Sequence, residues 1–369
     1  MKTNKELYNE RLTRIKKAIA LEKPDKTPFA PMMDSFCARH MGYTLAQFCF
    51  DVELSNKIMI DSIKDLGEVD AASGTSSFAG GMGLIFMCRV KLPGRELPEN
   101  ALWQLDEQEL MKPEDYDTII SKGWQAFSNE YVATRMNVDF ELLGKTGAFA
   151  PIADQRMREA GYPVYGGGVV SLPVDYLSGG RTMAKFMMDI KRMPEKVTEV
   201  MDIIMKNNIE TMKAGLKAAV DPIDVFIAMA RGCPDFYSTK IWEKFVWRYL
   251  KEVTETCIEE GIAADFHIDA NWERGLDYFK DFPKGTCVFE TDGMTDIYKV
   301  KEKLGDIMCI KGDVQAGKLT LGTPEEVYNY STRLIRDMGP GFILAGGCSI
   351  PPNAKVENVR AMVAAAAGK

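Results

Sequence analysis

Two short stretches of this chain carry the residue types best suited to holding a metal ion. One is His267-Ile268-Asp269, and the other is Cys348 within Gly346-Gly347-Cys348-Ser349-Ile350-Pro351-Pro352. His267 is one of only two histidines present. Both stretches read as the ends of short apolar strands, and on a strand residues i and i+2 face the same way. His267 and Asp269 can therefore aim at one point. If Cys348 ends another strand of the same sheet, an imidazole, a carboxylate and a thiolate converge there, borderline, hard and soft metal donors together. Asp269 has a competing role as cap of the segment that begins at Asn271-Trp272-Glu273. Glu290 is the alternative carboxylate ligand, or else an acid or base.

The elements that must position these residues follow a rhythm in the second half of the chain. Apolar runs at 224–230, 263–269, 287–290, 307–311 and 342–345 read as strands. They alternate with helical patterns at 239–260, 272–282, 296–304, 323–338 and 356–366. Thr323-Pro324-Glu325-Glu326 is a good helix start, with proline at the first helical position. Repeated strand–helix units at this spacing imply a parallel sheet with right-handed crossovers. The first half is less regular. Strands are expected at 27–34, 69–75 and 162–171, with helices over 5–21 and 194–218. Residues 80–110 read as an excursion over the mouth of the sheet.

About eight strands result, and the expected fold is a closed (β/α)8 TIM barrel. It spans 1–369 as a single domain, with a helical extension over 1–26. An open doubly wound sheet is the second choice. Chemistry in such barrels sits at the C-terminal strand ends, where Asp34, Arg231, His267, Asp269, Glu290, Asp292, Asp313 and Cys348 fall. Cys233 and Asp235, after Arg231-Gly232, are weaker pocket candidates. A turn role competes for Asp34, and His40 reads as a surface or lid residue. The glycine clusters at 80–83 and 166–168 match neither dinucleotide- nor phosphate-loop templates and read as turns or hinges.

Composition narrows the function. Apolar residues make up 46% and charged residues 27% of 369, as in a soluble globular protein. A net charge of −7 without a basic run argues against nucleic acid as a partner. No signal-like or membrane-spanning stretch stands out, so a cytoplasmic location and no membrane partner are expected. Eight cysteines without a C-x-x-C pair suggest reduced thiols. Of these, Cys257, Cys287 and Cys309 lie in apolar patterns and read as buried and inert.

With these residues in hand, the chain resembles the uroporphyrinogen decarboxylase superfamily, in particular its corrinoid-dependent methyltransferase branch. The resemblance rests on the opening Asn9-Glu10-Arg11 through Lys23-Pro24-Asp25-Lys26-Thr27-Pro28. It rests also on Ile310-Lys311-Gly312-Asp313-Val314, Leu321-Gly322-Thr323-Pro324-Glu325-Glu326-Val327, and the Gly346 to Pro352 segment through Glu357-Asn358-Val359. Members that methylate a thiol such as coenzyme M hold zinc with H-x-C and a later Cys. His267 and Cys348 match two of these positions. Asp269 departs from the third, which implies a harder site that favours oxygen or nitrogen donors. The arginine-rich motif of true uroporphyrinogen decarboxylases is not found at 33–39. The D-x-H-x-x-G of corrinoid carriers is absent as well. The resemblance therefore implies Zn2+ on this chain and methylcobalamin carried by a separate corrinoid protein. The implied reaction is methyl transfer to or from a small molecule, with Glu290, Asp292, Asp313 or Asp34 placing substrate or moving a proton. A metal-independent decarboxylase and a non-catalytic barrel that binds a corrinoid protein are the alternatives.

Overall fold

The structure, a computed structural model, describes residues 2–166 and 168–369. Among the described residues there are ten strands: β1 (Ala72–Ser73), β2 (Arg89–Lys91), β3 (Gln104–Asp106), β4 (Val164–Tyr165), β5 (Gly168–Ser171), β6 (Asp224–Met229), β7 (Ala263–Ile268), β8 (Cys287–Glu290), β9 (Cys309–Val314) and β10 (Phe342–Gly346). Strands β5 to β10 form one parallel sheet in chain order, and β1 pairs in parallel with β4. The expected turn at 166–168 includes Gly167, which lies outside the described residues.

Residues 28–30 close the ring. The Leu344 N–H donates to Pro28 O at 2.9 Å and the Ala30 N–H to Leu344 O at 3.2 Å, which ties this segment to β10. On its other side the Asp70 N–H donates to Phe29 O at 2.8 Å, and the Ala72 N–H reaches Pro163 O at 3.1 Å. The result is the TIM barrel expected from the strand–helix rhythm rather than an open sheet. The first stave is shorter than the expected 27–34 strand. Pro28 and Pro31 have no N–H to give to a ladder, and at Asp34 the chain already turns into a helix, Asp34–His40.

The apolar strand runs contain a polar alternation that assigns their faces. Val225, Ile227, Phe266, Ile268, Phe289 and Leu344 point to the outer helices and join the large core there. Their neighbours point inward. At the barrel floor Val288, Cys309 and Ile343 meet Ile15, Ala18 and Ile19 of the helix Asn4–Ile19, which plugs the bottom. Arg14 of that helix clasps the buried Asp70 at 2.5 Å and Asp25 at 2.6 Å, and Asp70 also accepts the Phe29 N–H. The N-terminal helix is thus joined to the first two staves.

Between β1 and β4 the chain is more helical than its sequence pattern suggests. Helices Glu114–Lys122, Trp124–Arg135 and Phe140–Glu159 occupy this stretch. The expected excursion at 80–110 is a short helix, Met82–Phe86, followed by the antiparallel pair β2–β3. It packs on the helix Pro173–Arg181 that leaves β5, and Glu107 pairs with Arg231 beyond β6 at 2.8 Å. The segment after β7 is a 3₁₀ helix, Glu273–Asp281, where an α-helix was expected. Tight winding there sets Trp272 and Phe279 edge-on to one another, and Trp272 likewise against Trp242. No helix among the described residues is long and apolar enough to cross a membrane.

Candidate metal centre

Parallel register lines up the central residues of the site. Ala228, His267, Glu290 and Lys311 are successive partners across β6, β7, β8 and β9, so their side chains share one inward layer near the barrel mouth. His267 Nδ1 lies 3.0 Å from Glu290 Oε2, and Glu290 Oε1 lies 3.0 Å from Lys311 Nζ. Lys311 also faces Asp265 at 3.8 Å and sits over the Tyr165 ring at 4.2 Å. The imidazole stacks on Phe226 at 4.8 Å. With Nδ1 occupied, Nε2 is the ring nitrogen left to face the mouth, and Cys348 Sγ stands 3.7 Å from it.

One donor atom each from His267, Asp269 and Cys348 lies within 4.8 Å of the others. Ligands on a tetrahedral zinc at ordinary bond lengths are about 3.4 to 3.6 Å apart. The His267–Cys348 separation of 3.7 Å is close to that, and the Asp269 carboxylate lies within 4.8 Å of both. By donor type and spacing, the set would fit zinc.

Loop contacts hold Asp269 and Cys348 in place. The Asp269 carbonyl accepts the Trp272 indole N–H at 2.9 Å, and Asp292 takes the neighbouring Ala270 N–H at 2.8 Å. Asn271, not Asp269, accepts the Glu273 N–H that opens the next segment, so the capping role does not compete for Asp269. On the other side, the Gly347 N–H donates to Val314 O and the Ile350 N–H to Met32 O. A side chain at Gly347 would meet the Asp292 carbonyl oxygen at 2.6 Å, so only glycine lets these loops approach. Asp34 Oδ1 accepts from the Ser349 hydroxyl at 2.8 Å and the Ser35 N–H at 2.7 Å, bracing the residue next to Cys348.

The electrostatics follow from burial and these partners. Burial pushes Glu290 up, but Lys311 and His267 outweigh it and hold the carboxylate at about 2. Burial disfavours charge on His267, yet Glu290 and Cys348 more than offset this and raise the imidazole well above its usual range. Asp265, buried beside Glu290 and Asp224, is pushed well up despite Lys311.

Several expected residues occupy other positions. Glu290 is spent on His267 and Lys311 and is not among the three clustered donors. Asp292 uses both oxygens on the Ala270 and Met294 N–H groups as a loop brace. Asp313 accepts the Tyr330 hydroxyl at 2.7 Å. His40 is not a surface or lid residue. Its side chain is nearly covered, with Nε2 on Asp65 and Nδ1 on Ser62, both at 2.8 Å. Cys233 gives its thiol to the Asn271 carbonyl, tying the loops after β6 and β7 together.

The uroporphyrinogen decarboxylase (URO-D) family model matches residues 158–368, which contain β4 to β10 and all three donors. The chain belongs to this family. Among solved structures it is similar to a methyltransferase from Methanosarcina mazei, with a TM-score of 0.72 and 19% identity over 97% of this chain and 98% of that one. At that identity the likeness speaks for the fold. Comparison with curated proteins returns no match. Within this URO-D frame, the residues that sequence reading left out are Lys311 and Asp175. Lys311 carried a signal, a lone cation inside an apolar strand run. Asp175, in the first turn after β5, carried none.

Proposed function

We propose that this protein transfers a methyl group between a small molecule and a corrinoid borne by a separate protein, using zinc held by His267, Asp269 and Cys348. The observation that carries this reading is the convergence of three donor types at the mouth, with Glu290 and Lys311 backing the histidine. Membership of the family and the fold shared with the Methanosarcina mazei methyltransferase support it. Bound there, zinc supplies Lewis-acid stabilisation of the heteroatom that loses or accepts the methyl group.

The chain's own residues do the rest. Glu290 keeps a proton on His267 Nδ1 and fixes the ring so that Nε2 faces the ion, an arrangement that also raises ligand basicity. Lys311 keeps Glu290 ionised inside the barrel. Phe226 and the apolar wall hold the imidazole plane. Asp269 in place of a thiolate makes the donor set harder, which favours an oxygen or nitrogen substrate over a thiol. The decarboxylase reading calls for a cation to hold the substrate's carboxylates, and the Arg231 guanidinium is already committed to Glu107 and the Ser178 carbonyl.

The test is His267→Ala, assayed for bound zinc and for demethylation of an added methylcorrinoid carrier. Both are expected to be lost. Full zinc content with full methyl transfer in the variant overturns the assignment.

A further inference from the structure

A cavity of about 730 Å³ lies where the helices Trp124–Arg135 and Pro194–Ala218 meet β5. None of His267, Asp269 and Cys348 lines it. Its floor is β5, where Val169 stays 56% exposed, although parallel barrel strands are ordinarily covered on both faces. The two helices supply walls at helical spacing. Gln125, Asn129 and Val132 share one face of the first, and Asn207, Thr211 and Gly215 share one face of the second. Trp124 stacks on Tyr176 at 5.4 Å, and both rings border the cavity.

The lining names the class of ligand. Among the described residues that border the cavity none is charged, although 27% of the chain is. A charged ligand would leave water there with no counter-charge to meet it, so the lining selects uncharged compounds. The volume falls within the range of about 300–1,000 Å³ that holds drug-sized ligands, and the Trp124–Tyr176 pair offers an aromatic wall to a planar ring. Asn129, Asn207 and Thr211 bring hydrogen-bonding atoms to surroundings that are otherwise apolar, which suits a ring with a polar edge. Gly215 keeps the space open. An added Cβ there meets nothing within 4 Å, and glycine inside a helix gives up stability relative to alanine. Its missing side chain therefore leaves room rather than relieving a clash.

We propose that this cavity is a small-molecule site separate from the metal centre, and that it takes one uncharged aromatic compound with a polar edge. The site stands independently of the methyl-transfer reading. The two are nevertheless neighbours, because Val169 is the register partner of Phe226, whose ring stacks on His267.

The test titrates the whole chain with two fluorescent probes that share one skeleton, uncharged N-phenyl-1-naphthylamine and the sulfonate 8-anilinonaphthalene-1-sulfonate. The uncharged probe is expected to bind saturably, one per chain, and the sulfonate at least about tenfold more weakly. Gly215→Leu fills the cavity from a position that no neighbour crowds. Its affinity for the uncharged probe should fall at least about tenfold while its thermal midpoint stays level or rises. Gly215→Ala, which adds only a methyl group, should keep most of that affinity. Equal affinity for the two probes overturns the proposal. So does wild-type affinity in the leucine variant, and so does a wild-type chain that the uncharged probe does not saturate. Sedimentation velocity on both chains tests a second copy as the occupant. A wild-type dimer that Gly215→Leu splits into monomers assigns the cavity to that copy and overturns the ligand site.

Discussion

His267 is gripped from both ring nitrogens: Glu290 Oε2 lies 3.0 Å from Nδ1, and Cys348 Sγ lies 3.7 Å from Nε2. The first contact comes from the neighbouring strand in direct register. The second comes from a loop 81 residues later in the chain. One imidazole thus links the barrel interior to its mouth, and most of what can be tested follows from that link.

Removing the charge behind the histidine should weaken the metal site without removing a donor. Glu290→Gln keeps an oxygen near Nδ1 but no longer holds a cationic or polarised ring. Zinc affinity, measured by competition with a chromophoric chelator, is expected to fall about 10- to 100-fold, the usual effect of losing such a partner. Unchanged affinity would show that Glu290 only fills space.

Metal affinity should rise with pH. His267 is held protonated well above its ordinary range, and a metal at Nε2 must displace that proton. In the same chelator competition, the apparent affinity should climb by up to about tenfold per pH unit for that one proton, starting from the acid side. A flat profile between pH 6 and 8 would contradict the pairing of His267 with Glu290.

Lys311→Met is expected to be severely destabilising although the side chain is nearly isosteric. It removes one of the two cationic partners of the fully buried Glu290, leaving only His267, and breaking a buried pair from one side costs about 3–5 kcal/mol. The thermal midpoint should drop by several degrees, and a second change, Glu290→Gln, should recover part of it. Equal midpoints in Lys311→Met and wild type would rule this out.

Stability should respond to Asp175 with a definite sign. Its side chain is fully buried, Oδ1 accepts the Arg231 N–H at 2.9 Å, and Oδ2 has no hydrogen-bond partner among the described residues. Burial raises the carboxyl to about 7 when folded, against about 3.9 when unfolded, so the folded state holds the proton more tightly. That advantage is complete below about pH 4 and is lost as the pH rises through 7. Asp175→Asn does not titrate, so its thermal midpoint should improve relative to wild type as pH goes from 4 to 8. The gain is of the order of a few kcal/mol at most, at about 1.4 kcal/mol for each pH unit that separates folded from unfolded titration. A constant gap across this range would remove the case for a buried, unpaired carboxyl.

Gly179→Ala reverses the usual rule for helices. Alanine in a helix interior ordinarily gains about 1 kcal/mol over glycine. Here the added methyl would lie 1.7 Å from the Phe86 carbonyl oxygen, so the insertion must lift off the helix Pro173–Arg181. A net loss of about 1–3 kcal/mol, the range for overpacking, is expected in thermal unfolding. A stabilised variant would mean that the insertion is not seated there.

The sequence by itself determined the barrel's second half. Strand runs such as Ala263–Ile268 are apolar on both faces, interrupted only at inward positions, and the helices between them carry their own start signals. That local chemistry is enough to set element type and order. It also marked His267, Asp269 and Cys348, because rare ligand types stood where strands end. Tertiary structure alone decided what each neighbouring acid does. Glu290, Asp292 and Asp313 look alike in sequence, each at or near a strand end. One backs the histidine, one braces a loop and one takes a tyrosine hydroxyl, because their partners come from other staves and helices. Lys311 and Asp175 acquired their roles the same way, through register and through burial between β5 and β6. Such roles depend on contacts between residues distant in the chain, and no local pattern carries them.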